Sequence, residues 1–205
     1  MHDAVTGIVL AGGLGRRMGG VDKGLQLLRG QTMVAHVLAR LAPQVNALII
    51  NANQNADAYA ALGAPYEARV VPDLIGGYAG PLAGLQAGLA AARTPLVMTV
   101  PCDSPFLPLD LVNRLRVALN AHLAQVAVAR TGDQPHPVFA LVRADVRDNL
   151  EAFLAGGGRK IDAWYAALAV VEVPFDDEAE AFENINTREE LREFEGRKQL
   201  GSDHD

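Results

Sequence analysis

The richest chemistry in the chain lies in Leu10-Ala11-Gly12-Gly13-Leu14-Gly15-Arg16-Arg17-Met18-Gly19-Gly20-Val21-Asp22-Lys23-Gly24. Eight of the 20 glycines fall between Gly7 and Gly30. Glycine lets main-chain N–H groups approach an anion closely. Arg16, Arg17 and Lys23 add positive charge around them. The preceding run, Val5 to Ala11, reads as a buried strand, so the loop opens at a strand's carboxyl end. Glycines and cations in that place have the chemistry of a phosphate cradle. Two familiar cradles do not fit. A P-loop needs Gly-Lys-Ser/Thr, and Lys23 is followed by Gly24 and Leu25. A dinucleotide fingerprint from Gly13 needs glycine where Met18 stands and an acid about 20 residues on. No Asp or Glu occurs between Asp22 and Asp57. The plainer reading is a glycine-rich turn with surface cations.

Further polar residues fall where apolar runs stop. Asp103 follows the run Leu96 to Val100 within Pro101-Cys102-Asp103-Ser104-Pro105. A carboxylate there suits Mg²⁺, a hard cation held by few carboxylates together with substrate phosphate oxygens. On residue type alone a turn or capping aspartate fits equally well. Cys102, a lone cysteine beside a strand, reads as a small buried apolar residue. Asn51 ends the run from Ala47, and Asp73 closes the run Ala68 to Val71. Polar residues at strand carboxyl ends are where an open α/β sheet meets its ligand, although each alone also reads as a turn residue. His136 lies in Asp133-Gln134-Pro135-His136-Pro137, where a lone histidine reads equally as structural. Asn184-Ile185-Asn186-Thr187 precedes a helical pattern, and Thr187 with Glu190 forms a capping box that explains Thr187 without function.

The elements that must position these residues alternate. The four apolar runs are rich in β-branched residues and lack in–out alternation, as in strands covered on both faces. Helical spacing appears over Gln31–Leu41, Asn55–Leu62, Leu82–Arg93 and Leu109–His122. Strand–helix alternation signals a mostly parallel sheet with crossover helices. Ala124–Ala129 and Pro137–Val142 flank a Gly132-Asp133 turn and read as an antiparallel pair. Helices follow at Asp145–Leu154 and Lys160–Ala167, joined by Gly156-Gly157-Gly158, then a strand at Leu168–Val173 and a helix at Thr187–Lys198. The expected fold class is α/β, a three-layer α/β/α sandwich. Its sheet is mostly parallel and Rossmann-like, with an antiparallel part in the second half. We expect one domain over 1–198 and a flexible acidic tail over 199–205.

Composition narrows the function. With 50% hydrophobic and 20% charged residues, the chain of 205 residues is globular in character. Aromatics at 5% disfavour a stacking surface for single-stranded nucleic acid. One cysteine excludes an internal disulfide framework and a cysteine-rich zinc site. The net charge of −6 disfavours an extended nucleic-acid surface. That charge is uneven: residues 173–205 hold 4 basic and 11 acidic side chains, and the rest is nearly neutral. The stretch reads as a solvated terminal helix plus tail. No run approaches the ~18 apolar residues of a membrane span. No signal peptide is read, so a cytoplasmic location is expected.

The opening motif resembles that of nucleotidyltransferases with Leu-x-Gly-Gly, then Arg-Met-Gly, then Lys. Its closer form here, Leu10-Ala11-Gly12-Gly13 with Arg16 to Leu25, resembles the molybdenum cofactor guanylyltransferase family. Gly80-Pro81-Leu82-Ala83-Gly84, Pro101-Cys102-Asp103, His136-Pro137 and Asn184-Ile185-Asn186-Thr187 match that family in order. Arg188 stands where the family commonly has proline. The resemblance covers roughly Val5 to Phe194. It implies transfer of GMP from GTP to the terminal phosphate of molybdopterin, with release of pyrophosphate and Mg²⁺ as cofactor. It implies that Leu10, Ala11, Gly12, Gly13, Lys23, Asn51, Asp73 and Asp103 bind GTP, and that Asp103 holds the metal. Lys23, Asp103 and Arg16 would carry the catalysis, and His136, Asn184 and Asn186 would face molybdopterin. Transient contacts with other cofactor-biosynthesis proteins and acceptor apoenzymes are expected, and no nucleic acid or membrane. The alternatives are a cytidylyl-transferring relative, a sugar-1-phosphate nucleotidyltransferase, and a non-catalytic nucleotide or cofactor carrier.

Overall fold

A computed structural model of the chain describes residues 3–11, 22–76, 80–183 and 185. In chain order its elements are β1 (Val5–Leu10), β2 (Leu27–Leu28), β3 (Gln31–Thr32), α1 (Met33–Leu41), β4 (Ala47–Asn51), α2 (Ala56–Gly63), β5 (Arg69–Val71), α3 (Pro81–Ala91), β6 (Leu96–Pro101), α4 (Leu111–Ala121), β7 (Val126–Thr131), β8 (Gln134–Arg143), α5 (Arg147–Ala155), α6 (Ile161–Tyr165) and β9 (Val170–Pro174). Seven strands form one sheet in the order β5-β4-β1-β6-β8-β7-β9. Every pairing is parallel except the two that β8 makes. The expected α/β class and the antiparallel part in the second half are both present.

The runs of β1, β4 and β6 make strands buried on both faces, whereas β5, at the edge of the sheet, is partly exposed, contrary to the expectation for its run. Along β1, Val5 and Val9 point into one apolar cluster and Ile8 into the other. Along β6, Leu96, Met98 and Val100 join the first cluster and Val97 the second. Helices α1, α2 and α4 supply the first cluster with Val34, Val37, Leu38, Tyr59, Leu111 and Leu115. Helices α3, α5 and α6 supply the second with Leu82, Leu85, Leu150 and Trp164. The result is the three-layer sandwich, since a parallel sheet needs helices on both faces. Parallel pairing also aligns the carboxyl ends of β5, β4, β1 and β6 along one edge, with the register row Val71–Asn51–Leu10–Pro101.

Two local differences from the expected elements have physical causes. The expected helix over Gln31–Leu41 begins only at Met33. Gln31 and Thr32 pair instead with Leu27 and Leu28 in a short hairpin, turned by Arg29 and Gly30 at φ 52° and 79°. Two positive φ values suit a two-residue hairpin turn. Thr32 stands at the cap position of α1 without a side-chain capping bond. The acidic C-terminal stretch, expected as a solvated helix and tail, begins by entering the core. A 3₁₀ segment over Asp176–Phe182 buries Ala181 and Phe182, and the preceding Phe175 is wholly buried in the first cluster. Asp177 stays outside, paired with Arg114 at 2.9 Å, and the Arg114 guanidinium lies 3.8 Å from the Phe175 ring centroid. The helix expected over 187–198 and the tail over 199–205 lie outside the described residues.

Phe175→Ala removes a buried ring and the face under Arg114 together. It should destabilise the fold by about 3–5 kcal/mol, read as the shift in urea unfolding midpoint at unchanged slope.

Candidate nucleotide site

The candidate site is built just past the row Val71–Asn51–Leu10–Pro101. Ala11 N–H donates to Asn51 O at 2.8 Å, and Cys102 N–H donates to Leu10 O at 3.1 Å. Ala52 N–H donates to Val71 O at 3.0 Å. The strands therefore stay registered one residue beyond their pairing. The following positions, Asp73, Asn53 and Asp103, emerge on the same edge of the sheet.

Lys23 and Asp103 meet there. Lys23 Nζ donates to Asp103 Oδ2 at 3.1 Å, although 80 residues separate them. Both side chains are largely buried, with 24% and 12% of their surface exposed. The Asp103 carbonyl accepts from Ile185 N–H at 3.1 Å. Ile185 itself is buried in a small cluster with Leu28, Met33 and Phe106. The residue between Asn184 and Asn186 is thus tied to the Asp103 backbone, and those two asparagines lie outside the described residues. Gly12, Gly13 and Arg16 lie outside them as well.

At the β4 and β5 ends, Asn51 and Asp73 touch. Asn51 Nδ2 donates to Asp73 Oδ1 at 2.9 Å and to Val71 O at 3.3 Å. Asn53, which sequence reasoning passed over, completes the pair. Its Nδ2 donates to Asp73 Oδ2 at 2.8 Å, and its Oδ1 accepts from Asp73 N–H at 2.8 Å. Two amides therefore orient one carboxylate. Gly84 in the first turns of α3 makes room for this arrangement, because a Cβ there would come within 2.9 Å of Asn51 Cγ.

Asp22, present in the motif without a role of its own, is fully engaged. Its Oδ1 accepts from Gly24 N–H at 3.2 Å and from the Tyr59 hydroxyl. Its Oδ2 accepts from Asn55 Nδ2 at 3.0 Å. Burial, Cys102 and Asp22 push the Tyr59 phenol upward, so it remains a donor at neutral pH. Burial, then Asp103 and Asp22, push the Cys102 thiol upward. A thiol held protonated is a poor nucleophile.

His136 lies at the start of β8, which runs opposite to β6 and extends past its carboxyl end. Its Nε2 is 2.7 Å from Thr131 Oγ1, and its ring stacks on Phe182 at 4.9 Å. Phe139 meets the same ring edge-on at 6.2 Å. These contacts give His136 a structural role whatever else it touches. Among the described residues, no three His, Cys, Asp or Glu side chains gather as a ready metal cluster. Asp103 is a carboxylate that could hold a hard divalent cation whose other ligands come from phosphate and water.

Fold and site together place the chain among the α/β nucleotidyltransferases. It belongs to the family of the MobA-like NTP transferase domain, whose model matches residues 7–170. A Molybdenum cofactor guanylyltransferase of Burkholderia vietnamiensis is 55% identical over 193 residues, covering 92% of this chain and 94% of the relative. One from Cupriavidus metallidurans is 52% identical over 205 residues, covering 98% of each. The crystal structure of Molybdopterin-guanine dinucleotide biosynthesis protein A from Archaeoglobus fulgidus superposes with a TM-score of 0.76 at 27% identity. That match covers 95% of this chain and 99% of the other. No helix among the described residues is long and apolar enough to cross a membrane.

Burial lowers the His136 pKa below its ordinary value. The folded state then binds fewer protons than the unfolded state once pH falls below about 6.5. Stability contributed by the neutral ring is present above that pH and lost as pH falls through the folded-state pKa. Thermal midpoints measured between pH 7.5 and pH 5 should fall with acidification, and His136→Gln should flatten that slope.

Proposed function

We propose that the chain transfers GMP from GTP to the terminal phosphate of molybdopterin, using Mg²⁺, and releases pyrophosphate. The observation that carries this reading is the meeting of Lys23 and Asp103 at 3.1 Å on the strand edge. It occurs in a chain 55% identical, over 92% of its length, to a Molybdenum cofactor guanylyltransferase. The domain is taken as 1–198, with the cofactor pathway as its cellular setting.

The chemistry is one substitution at phosphorus. An oxygen of the molybdopterin phosphate forms a bond to the α-phosphorus of GTP. The bond from that phosphorus to the β-phosphate bridging oxygen breaks, and pyrophosphate leaves with the electron pair. The attacking phosphate is already ionised at neutral pH, so no general base is required. Catalysis then rests on positioning two anions and neutralising their charge.

Each residue has a part in this. Asp103 would hold Mg²⁺, which supplies positive charge to the triphosphate oxygens. Lys23, whose ammonium donates to Asp103 at 3.1 Å, would turn to the phosphates. Main-chain N–H groups of Gly12 and Gly13, with Arg16, would cradle the triphosphate, and Leu10 and Ala11 form the strand end beneath it. Asn51 and the doubly held Asp73 would take the ribose or base. His136, Asn184 and Asn186 would line the molybdopterin side. Ile185, between the last two in sequence and bonded through its N–H to the Asp103 carbonyl, would link the two halves of the site.

Asp103→Ala should abolish pyrophosphate release from GTP, and Lys23→Ala should slow it by about 100-fold or more. Both are read in a coupled pyrophosphate assay with molybdopterin present. Turnover near wild type in Asp103→Ala sinks the metal assignment, and unchanged kinetics in Lys23→Ala removes that residue from the site.

A further inference from the structure

We infer that Asn55 and Tyr59 of α2 are positioning residues for the transfer reaction, acting through Asp22 to set the place of Lys23. The inference rests on the role given to Lys23 above and goes beyond it, because α2 belongs to a crossover rather than to the strand edge.

Asp22 and Lys23 are adjacent in sequence and opposite in direction of work. The Lys23 ammonium reaches out to Asp103. The Asp22 carboxylate is turned back into the scaffold, where both of its oxygens are occupied by Tyr59, Gly24 and Asn55. Its main-chain carbonyl also accepts from Leu25 N–H at 3.3 Å and Gln26 Nε2 at 3.4 Å. The turn that carries Lys23 is therefore pinned at the residue before it and the residue after it.

The pin comes from the N-terminal end of α2, with Asn55 at its cap and Tyr59 one turn on, joined by Tyr59 N–H donating to Asn55 O at 3.1 Å. Asn55 holds a left-handed backbone, φ 53°, at the cap of α2. Asparagine tolerates that conformation, and here its side chain is spent on Asp22 rather than on its own helix. Tyr59 is wholly buried. Its hydroxyl reaches the turn so closely that a Cβ on Gly24 would lie 2.5 Å from Tyr59 Oη and 3.3 Å from Cys102 Sγ. The Lys23 turn is thus seated between Tyr59 of α2 and Cys102, the neighbour of Asp103. Lysine carries its charge on a flexible four-carbon stem, so a fixed root limits where that charge can go. Small misplacements of a charge-neutralising group cost large factors in rate.

The test is a double-mutant cycle on the full chain. Pyrophosphate release from GTP, Mg²⁺ and molybdopterin is measured for wild type, Tyr59→Phe, Lys23→Ala and the double variant. Thermal midpoints are recorded alongside. Tyr59→Phe should lower kcat by about 10-fold, with a smaller change in the KM for GTP. In the Lys23→Ala background the same substitution should change kcat by less than about two-fold, because the group it positions is gone. Asn55→Ala, at an exposed bond, should show the same dependence on Lys23 with a smaller loss, and it carries the cycle if Tyr59→Phe fails to fold. An equal loss with and without Lys23 overturns the inference, as does wild-type kcat in both α2 variants. No pyrophosphate from the wild type overturns the functional reading itself and this inference with it, an outcome distinct from an active wild type with an additive cycle.

Discussion

The contact between Lys23 and Asp103 is the constraint around which the rest of the molecule is arranged. A flexible ammonium and a carboxylate 80 residues apart are brought to 3.1 Å, and each partner is held from behind. Asp103 emerges two residues after the last paired residue of β6, where Cys102 N–H still follows β1 and the Asp103 carbonyl is taken by Ile185. Lys23 is rooted beside Asp22, which α2 grips with two side chains. Parallel pairing of β1 with β4 and β6 makes this geometry possible, because it puts consecutive strand ends, and the loops leaving them, on one edge. Ligand sites on open α/β sheets form at such edges for that reason.

Charge follows the same division. The chain carries −6 overall, yet its negative excess lies after residue 172 and its cations are dense at Arg16, Arg17 and Lys23. Small anionic substrates need one cationic loop and a metal-holding carboxylate rather than a basic protein. The acidic segment also has a structural part. Phe175, Ala181 and Phe182 anchor its first turns in the core, and Phe182 backs the His136 ring. The carboxylates between them face outward, where Asp177 pairs with Arg114.

Much of the fold could be read in advance because its central strands are buried on both faces. Ala47–Asn51 and Leu96–Val100 announce themselves as apolar runs, interrupted only by Thr99 and ended by Asn or Pro. The β2–β3 hairpin escaped because two-residue strands carry no period to detect. The core role of Phe175 and Phe182 was masked by the acids around them, where net charge outweighed two aromatics. In the site, Asn51, Asp73 and Asp103 were visible as polar residues at run ends, and Lys23 as a cation of the glycine-rich loop. Asn53, Asn55 and Tyr59 were not, since their importance lies in which distant carboxylate each one holds. A tyrosine and an asparagine at helical spacing say nothing about a partner 33 or 37 residues away.

The nucleotide joined to molybdopterin in the reaction product identifies the transferred group. The purified chain is mixed with GTP, CTP, Mg²⁺ and molybdopterin, and the nucleotide attached to the pterin is identified by mass spectrometry. The expected product is a guanine dinucleotide with stoichiometric pyrophosphate, formed from GTP in preference to CTP. A cytosine dinucleotide would contradict it, as would GTP bound with no pyrophosphate released.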